Sequence, residues 1–123
     1  MRERQSSGYL ADHCGRKPGS TSGSPFGEEH RVFKVCDKIF AVLHVEESPV
    51  KITFKAHPEL TGLLRGQHPS IRPARYFDKR YWSTLACDGT VPDDEVVELL
   101  DASYDIVFEG LRKSDREALK GGL

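Results

Sequence analysis

Three short strands in close succession constrain this chain more than any other feature. Residues 50–55, VKITFK, alternate strictly: Val50, Ile52 and Phe54 fall on one side, and Lys51, Thr53 and Lys55 on the other. That is the period of a half-buried strand. Residues 39–45, IFAVLHV, are almost continuously apolar, as suits a central strand covered on much of both faces. Residues 31–36 make a strand before it, joined to it at Asp37-Lys38, and residues 46–49 make the next turn. Strands joined by links this short pair antiparallel, because a parallel return needs a crossover of about a dozen residues. The segment 31–55 is therefore an antiparallel meander.

Helical signals flank the meander. Pro58 suits a first helical position, where its missing N–H would be unpaired anyway. Leu60, Leu63 and Leu64 follow at helical spacing, and Gly66 ends the segment. Residues 71–76 read as a fourth strand, with Pro73 confining it to an edge. Residues 82–87 read as a fifth, and Asp88-Gly89 is a tight turn. Pro92 opens the last helix, with Asp93, Asp94 and Glu95 in a first turn whose dipole favours acids. Val96, Leu100, Tyr104, Val107 and Leu111 then recur at intervals of three and four, which places a helix over 92–112. Residues 1–15 hold a short helix with Tyr9, Leu10 and Cys14 on one side. Residues 15–29, rich in Gly, Ser and Pro, read as a flexible loop with Phe26 plugged onto the core, and residues 113–123 as a polar tail.

The order α-βββ-α-ββ-α predicts one domain over residues 1–123 with its core at about 9–112: a two-layer α+β fold on a mainly antiparallel five-stranded sheet. Its 123 residues suffice for one core of moderate size. No run of about 18 apolar residues occurs, so no membrane span is expected. Cys14, Cys36 and Cys87 are odd in number and widely spaced. They fit reduced thiols and a cytoplasmic protein better than a disulfide framework.

Several blocks resemble the MmcQ/YjbR family. They are Pro25-Phe26-Gly27, Val32-Phe33-Lys34-Val35, Lys38-Ile39-Phe40-Ala41, Phe54-Lys55 with Pro58-Glu59-Leu60, Tyr76 through Trp82, Asp88 through Asp93, and Ser103-Tyr104-Asp105. They span about residues 9 to 112 in the family's order. The resemblance implies a YjbR-like fold, related in topology to secretion-chaperone-like domains. It also carries the family's label of a "double wing" DNA-binding fold. Two positions depart from the family pattern: Asp78 stands where Asn is commoner, and Tyr81 where His is frequent. An acid at 78 offsets Lys79 and Arg80.

Charge locates the candidate interface. The chain is nearly neutral at −1, but residues 51–82 carry a net +5 and residues 83–123 a net −6. The acidic last helix would repel phosphates, so any nucleic-acid contact comes from the basic middle. The candidate residues are Arg72, Arg75, Lys79, Arg80, Lys51 and Lys55. Cations there would meet the phosphates and an aromatic would stack a base. Against this stands a structural reading: Trp82 is a core plug, and Lys79 and Arg80 are solvated on a turn.

Other chemistry finds little footing. His13, His30, His44, His57 and His68 show no metal-ligand spacing, and His44 reads as a hydrogen-bonded core or rim residue. No nucleophile elbow and no Gly-rich phosphate loop occurs. The chain therefore reads as a non-enzyme without cofactor. Two functions from different classes remain: a weak DNA-binding domain acting through phosphate contacts, or a protein-interaction or small-ligand module.

Overall fold

The computed structural model describes residues 3–121, so residues 1, 2, 122 and 123 of the expected first helix and polar tail lie outside the described residues. After a 3-10 turn at Glu3–Gln5 come α1 (Ser7–Gly15), β1 (Ser20–Gly23), β2 (His30–Val35), β3 (Lys38–His44) and β4 (Lys51–Lys55). Then follow α2 (Pro58–Gln67), β5 (Ile71–Pro73), β6 (Trp82–Ala86), α3 (Asp93–Glu109) and α4 (Lys113–Gly121). The strands form one sheet in the order β1-β2-β3-β4-β6-β5, and every neighbouring pair is antiparallel. The fold is α+β, as the sequence indicated.

Local chemistry explains the element ends. Ser6 caps α1 by accepting from the Tyr9 amide at 3.2 Å. The β2–β3 hairpin turns on Cys36 and Asp37, both at positive φ, which is the two-residue turn that matches strand twist. The acids of the first turn of α3 stand where expected, and the Gln5 amide reaches across to the Val91 carbonyl at 2.9 Å. That bond ties the start of the chain to the mouth of α3.

The core lies between the sheet and the helices. Phe33, Ala41, Leu43, Ile52, Phe54, Ile71 and Leu85 point from the sheet into one cluster with Leu10 and Cys14 of α1, Leu64 of α2, and Val96, Leu100, Tyr104 and Val107 of α3. A bulge adds to it. Phe33 pairs with Ala41 and Lys34 with Ile39, which leaves Phe40 without a partner opposite. Phe40 and Ala41 are consequently both fully buried in the same cluster. Phe40 packs edge-on to Tyr104 with ring centroids 5.2 Å apart.

Five expectations are corrected. Six strands, not five, are present among the described residues, because residues 20–23 of the supposed flexible loop pair with β2 as an edge strand. Tyr104 pins the approach to this edge by donating to the Pro18 carbonyl at 2.6 Å. The polar tail is a helix, α4, whose Leu119 packs against the core and over Gly19. A single apolar anchor on a charged helix gives too weak a period to read in advance. The fourth strand stops at Pro73, three residues earlier than expected, and Tyr76 sits at φ 70°. Phe26 is no plug, being 63% exposed. Trp82 is only half-buried, because it shares a face with Lys55 rather than with Leu85. Among the described residues no helix is long and apolar enough to cross a membrane.

Candidate nucleic-acid interface

Strand register sorts the candidate residues. Side chains directly opposite one another on paired strands share a face. Lys55 stands opposite Trp82, Thr53 opposite Thr84, and Lys51 opposite both Ala86 and His44; Thr84 in turn faces Arg72. Val42 and Val32 continue the Thr53 row, and both are buried although they lie outside the core cluster. This set alternates with the core-facing residues and lies outside their cluster. It forms the face of the sheet turned away from the helices. Lys51, Lys55 and Arg72, 21 residues apart in the chain at their extremes, therefore meet on one surface with the only Trp.

The middle of this face is held by short polar side chains. Thr53 and Thr84 hydroxyls bond at 2.8 Å, and the His44 ring nitrogen Nε2 bonds Thr53 Oγ1 at 2.9 Å. Thr53 points away from the core as expected, yet these neighbours bury it. His44 is the hydrogen-bonded rim residue that its strand position suggested. Its ring meets the His30 ring edge-on at 4.8 Å. Burial first, and then the proximity of His30, hold its imidazole below the usual 6.5.

An aromatic cluster stands at one end. Phe77 and Trp82 rings lie 4.8 Å apart, and the Lys55 ammonium sits 5.6 Å from the Tyr81 centroid and 6.0 Å from that of Trp82. The Arg75 guanidinium lies 5.5 Å from the Tyr76 ring, which is 89% exposed. The loop that presents these rings is fastened from behind by Arg65 of α2. Its guanidinium donates to Ser83 Oγ at 3.1 Å, to the Lys79 carbonyl at 2.7 Å and to the Trp82 carbonyl at 2.8 Å. Arg65 had no distinguishing signal in the sequence: an arginine late in a helix reads as solvated.

The six predicted cations are not equivalent. Lys79 and Arg80 are exposed, as expected, but both are occupied. The Lys79 ammonium donates to the Ala74 carbonyl at 3.1 Å. Arg80 grips Asp78 through Nε at 3.1 Å and Nη2 at 2.7 Å, and its backbone amide adds a third bond at 3.0 Å. These bonds pull the Asp78 carboxyl down to about 2. Lys51 pairs with Glu47 at 3.1 Å. Among the described residues Lys55, Arg72 and Arg75 have no carboxylate within ion-pair distance. Positive charge without a carboxylate partner is thus carried by Lys55 and Arg72 on the face opposite the core cluster and by Arg75 beside it.

Comparison with known proteins agrees with this architecture. The family model described as YjbR matches residues 15–106. The chain is 36% identical over 110 residues to the uncharacterized protein YjbR of Escherichia coli K12, covering 89% of this chain and 93% of that protein. It is 29% identical over 98 residues to the uncharacterized protein YbdF of Escherichia coli O157:H7, covering 80% of each. A Deinococcus radiodurans crystal structure with a DUF419 domain superposes with a TM-score of 0.88 at 35% identity, covering 95% of this chain and 89% of that one. A Pseudomonas syringae protein superposes with a TM-score of 0.67 at 25% identity, covering 86% of this chain and 98% of that one. With the family model spanning β1 through β6, and relatives aligned over most of their own length, this chain belongs to the YjbR family.

Proposed function

We propose that this protein binds nucleic acid, weakly and without sequence selectivity, across the Lys55 and Arg72 side of the sheet face opposite the core cluster. One observation carries the reading: the register sets Lys55 opposite Trp82 and Arg72 opposite Thr84 on that face, with the Lys55 ammonium over the Tyr81 ring. Cations in reach of aromatic rings are the elements of single-strand recognition, with ammonium and guanidinium groups on the backbone and rings against the bases. The acids of α3 belong to the opposite layer, so they do not shield the cations. The reading is of a binding protein and not of an enzyme. Burial raises the Cys14 and Cys87 thiols to about 12, which keeps both protonated and poorly nucleophilic.

The test is a titration of fluorescein-labelled single-stranded and duplex DNA at two salt concentrations. Binding to single strands is expected to be tighter than to duplex and to weaken steeply with salt. Absence of binding to either at about 50 mM salt, where screening is weak, would remove the proposal.

A further inference from the structure

β1 ends the sheet, and among the described residues it pairs with β2 alone. Ser20–Gly23 pairs with β2 on one side, and Thr21, Ser22 and Gly23 are exposed. Edge strands are commonly blunted by charge, Pro or a bulge; STSG has none of these among its own residues. Beside this edge lies a groove of about 500 Å³ between α1 and the helix-facing side of β1 and β2. Its helix wall is low: Gly8, Ala11 and Gly15 line it, and a Cβ built on either glycine would meet nothing within 4 Å. Its strand wall offers Ser22, Phe33 and Arg31. Asp12 and Arg16, the residue after α1, also line it and form an ion pair at 2.8 Å, so their charges offset and Arg31 is the uncompensated charge of the groove. Arg31 is exposed and donates only to Ser22 Oγ at 3.3 Å, with no carboxylate partner among the described residues.

We propose that an extended acidic peptide segment of a partner protein adds to β1 as a further strand and places a carboxylate on Arg31. This surface lies on the helix-facing side of the sheet, away from Lys55 and Arg72, so it does not depend on nucleic-acid binding. In strand addition the edge backbone supplies affinity, and alternate side chains read the adjoining groove. Here the groove would take a carboxylate at Arg31 and a small apolar group between Phe33 and Ala11. A second copy of this chain fits the surface less well. Edge-to-edge pairing would engage four residues on each side, against roughly 20–30 at a standard stable interface. A flexible peptide needs no more than the edge and the groove.

The probe is the peptide Thr-Glu-Thr-Val-Thr-Glu-Thr, blocked at both ends, which places Glu, Val and Glu on one face of a strand. Its counterpart carries Lys in place of both Glu residues. Amide resonances of isotope-labelled protein are followed during titration of each. The expected result is saturable movement of the Thr21, Ser22, Gly23 and Arg31 amides with the Glu peptide and little with the Lys peptide. Arg31→Glu should weaken the Glu peptide by about tenfold, as for a lost charge-assisted hydrogen bond, and should reverse the preference between the two peptides. Gly8→Leu fills the groove at a position with free space and should abolish binding while leaving the fold intact. No movement at about 1 mM Glu peptide, a range that would still register a weak complex, overturns the proposal. So does movement confined to other residues, or a preference that Arg31→Glu leaves unchanged. Protection of the β1 amides in the free protein, together with a dimeric mass by light scattering, would assign the edge to a second copy instead.

Discussion

Ser103 of α3 donates its hydroxyl to the Phe40 carbonyl at 2.6 Å, and the same oxygen accepts from the Lys55 amide at 2.8 Å. Phe40 is the residue that the β3 bulge leaves without a partner, and Lys55 closes β4. One buried hydroxyl from the helix layer therefore satisfies two backbone groups that the sheet ladder leaves over. It also fixes the height at which α3 rides on β3 and β4.

Ser103→Ala should accordingly lose more than an ordinary surface hydroxyl. It strands a buried carbonyl and a buried amide, each of which costs about 1–3 kcal/mol when left unpaired. A destabilisation of about 2 kcal/mol is expected by urea unfolding, with an unchanged m-value. A loss below about 0.5 kcal/mol, the usual range for a surface substitution, would mean that the hydroxyl is dispensable.

Trp82 and Phe54 are neighbours on paired strands but face opposite ways. Phe54 is fully buried, so Phe54→Ala should cost about 3–5 kcal/mol. Trp82→Ala removes a half-buried ring that packs on Phe77 and Lys55 and should cost about half as much. Parallel denaturant curves for the two variants check the order. Equal losses would show that the outer face behaves as core.

Protonation should weaken the fold from the His44 side first. The folded protein holds the His44 imidazole below 6.5, so the unfolded chain binds that proton at a higher pH than the folded one. Its contribution is complete above 6.5 and drains away as pH falls through the depressed folded value. Glu47, held below 4.5 by its bond to Lys51, acts in the same direction but only in a lower window. His44→Gln keeps a donor for Thr53 and does not titrate. The stability gap between this variant and the parent should therefore change between pH 7.5 and 5.5, with the parent losing more. A constant gap would show that His44 titrates alike in both states.

Cation substitutions should rank by how free each charge is. Lys55→Ala with Arg72→Ala should lower affinity for single-stranded DNA and flatten the log–log salt slope by about 0.7 for each phosphate no longer neutralised. Lys79→Ala with Arg80→Ala should do less, because these side chains are spent on Ala74 and Asp78. The opposite ranking would move the interface to the loop between β5 and β6.

Much of this architecture is legible in the chain. Periods of two in residues 50–55 and of three to four in residues 96–111 follow from burying one face of a strand or a helix, and such a requirement writes itself locally into side-chain type. Pro73, Asp88-Gly89 and Pro92 act through their own backbone geometry, so their meaning is local as well. The candidate cations were visible by type, and so was their concentration in residues 51–82. Elements whose stability comes from distant partners left no such trace. β1 exists because β2 offers it a ladder and Tyr104 holds Pro18, and STSG alone favours a loop. α4 depends on Leu119 finding Gly19 and the core. Which cations are free was likewise decided in three dimensions. Register carried Lys55 and Arg72 to the face opposite the core, on the Trp82 side, while carbonyl and carboxylate neighbours engaged Lys79 and Arg80. Composition sets how much charge a segment holds. Only strand pairing and the hydrogen bonds of the folded loop determine which of those charges are left without a partner.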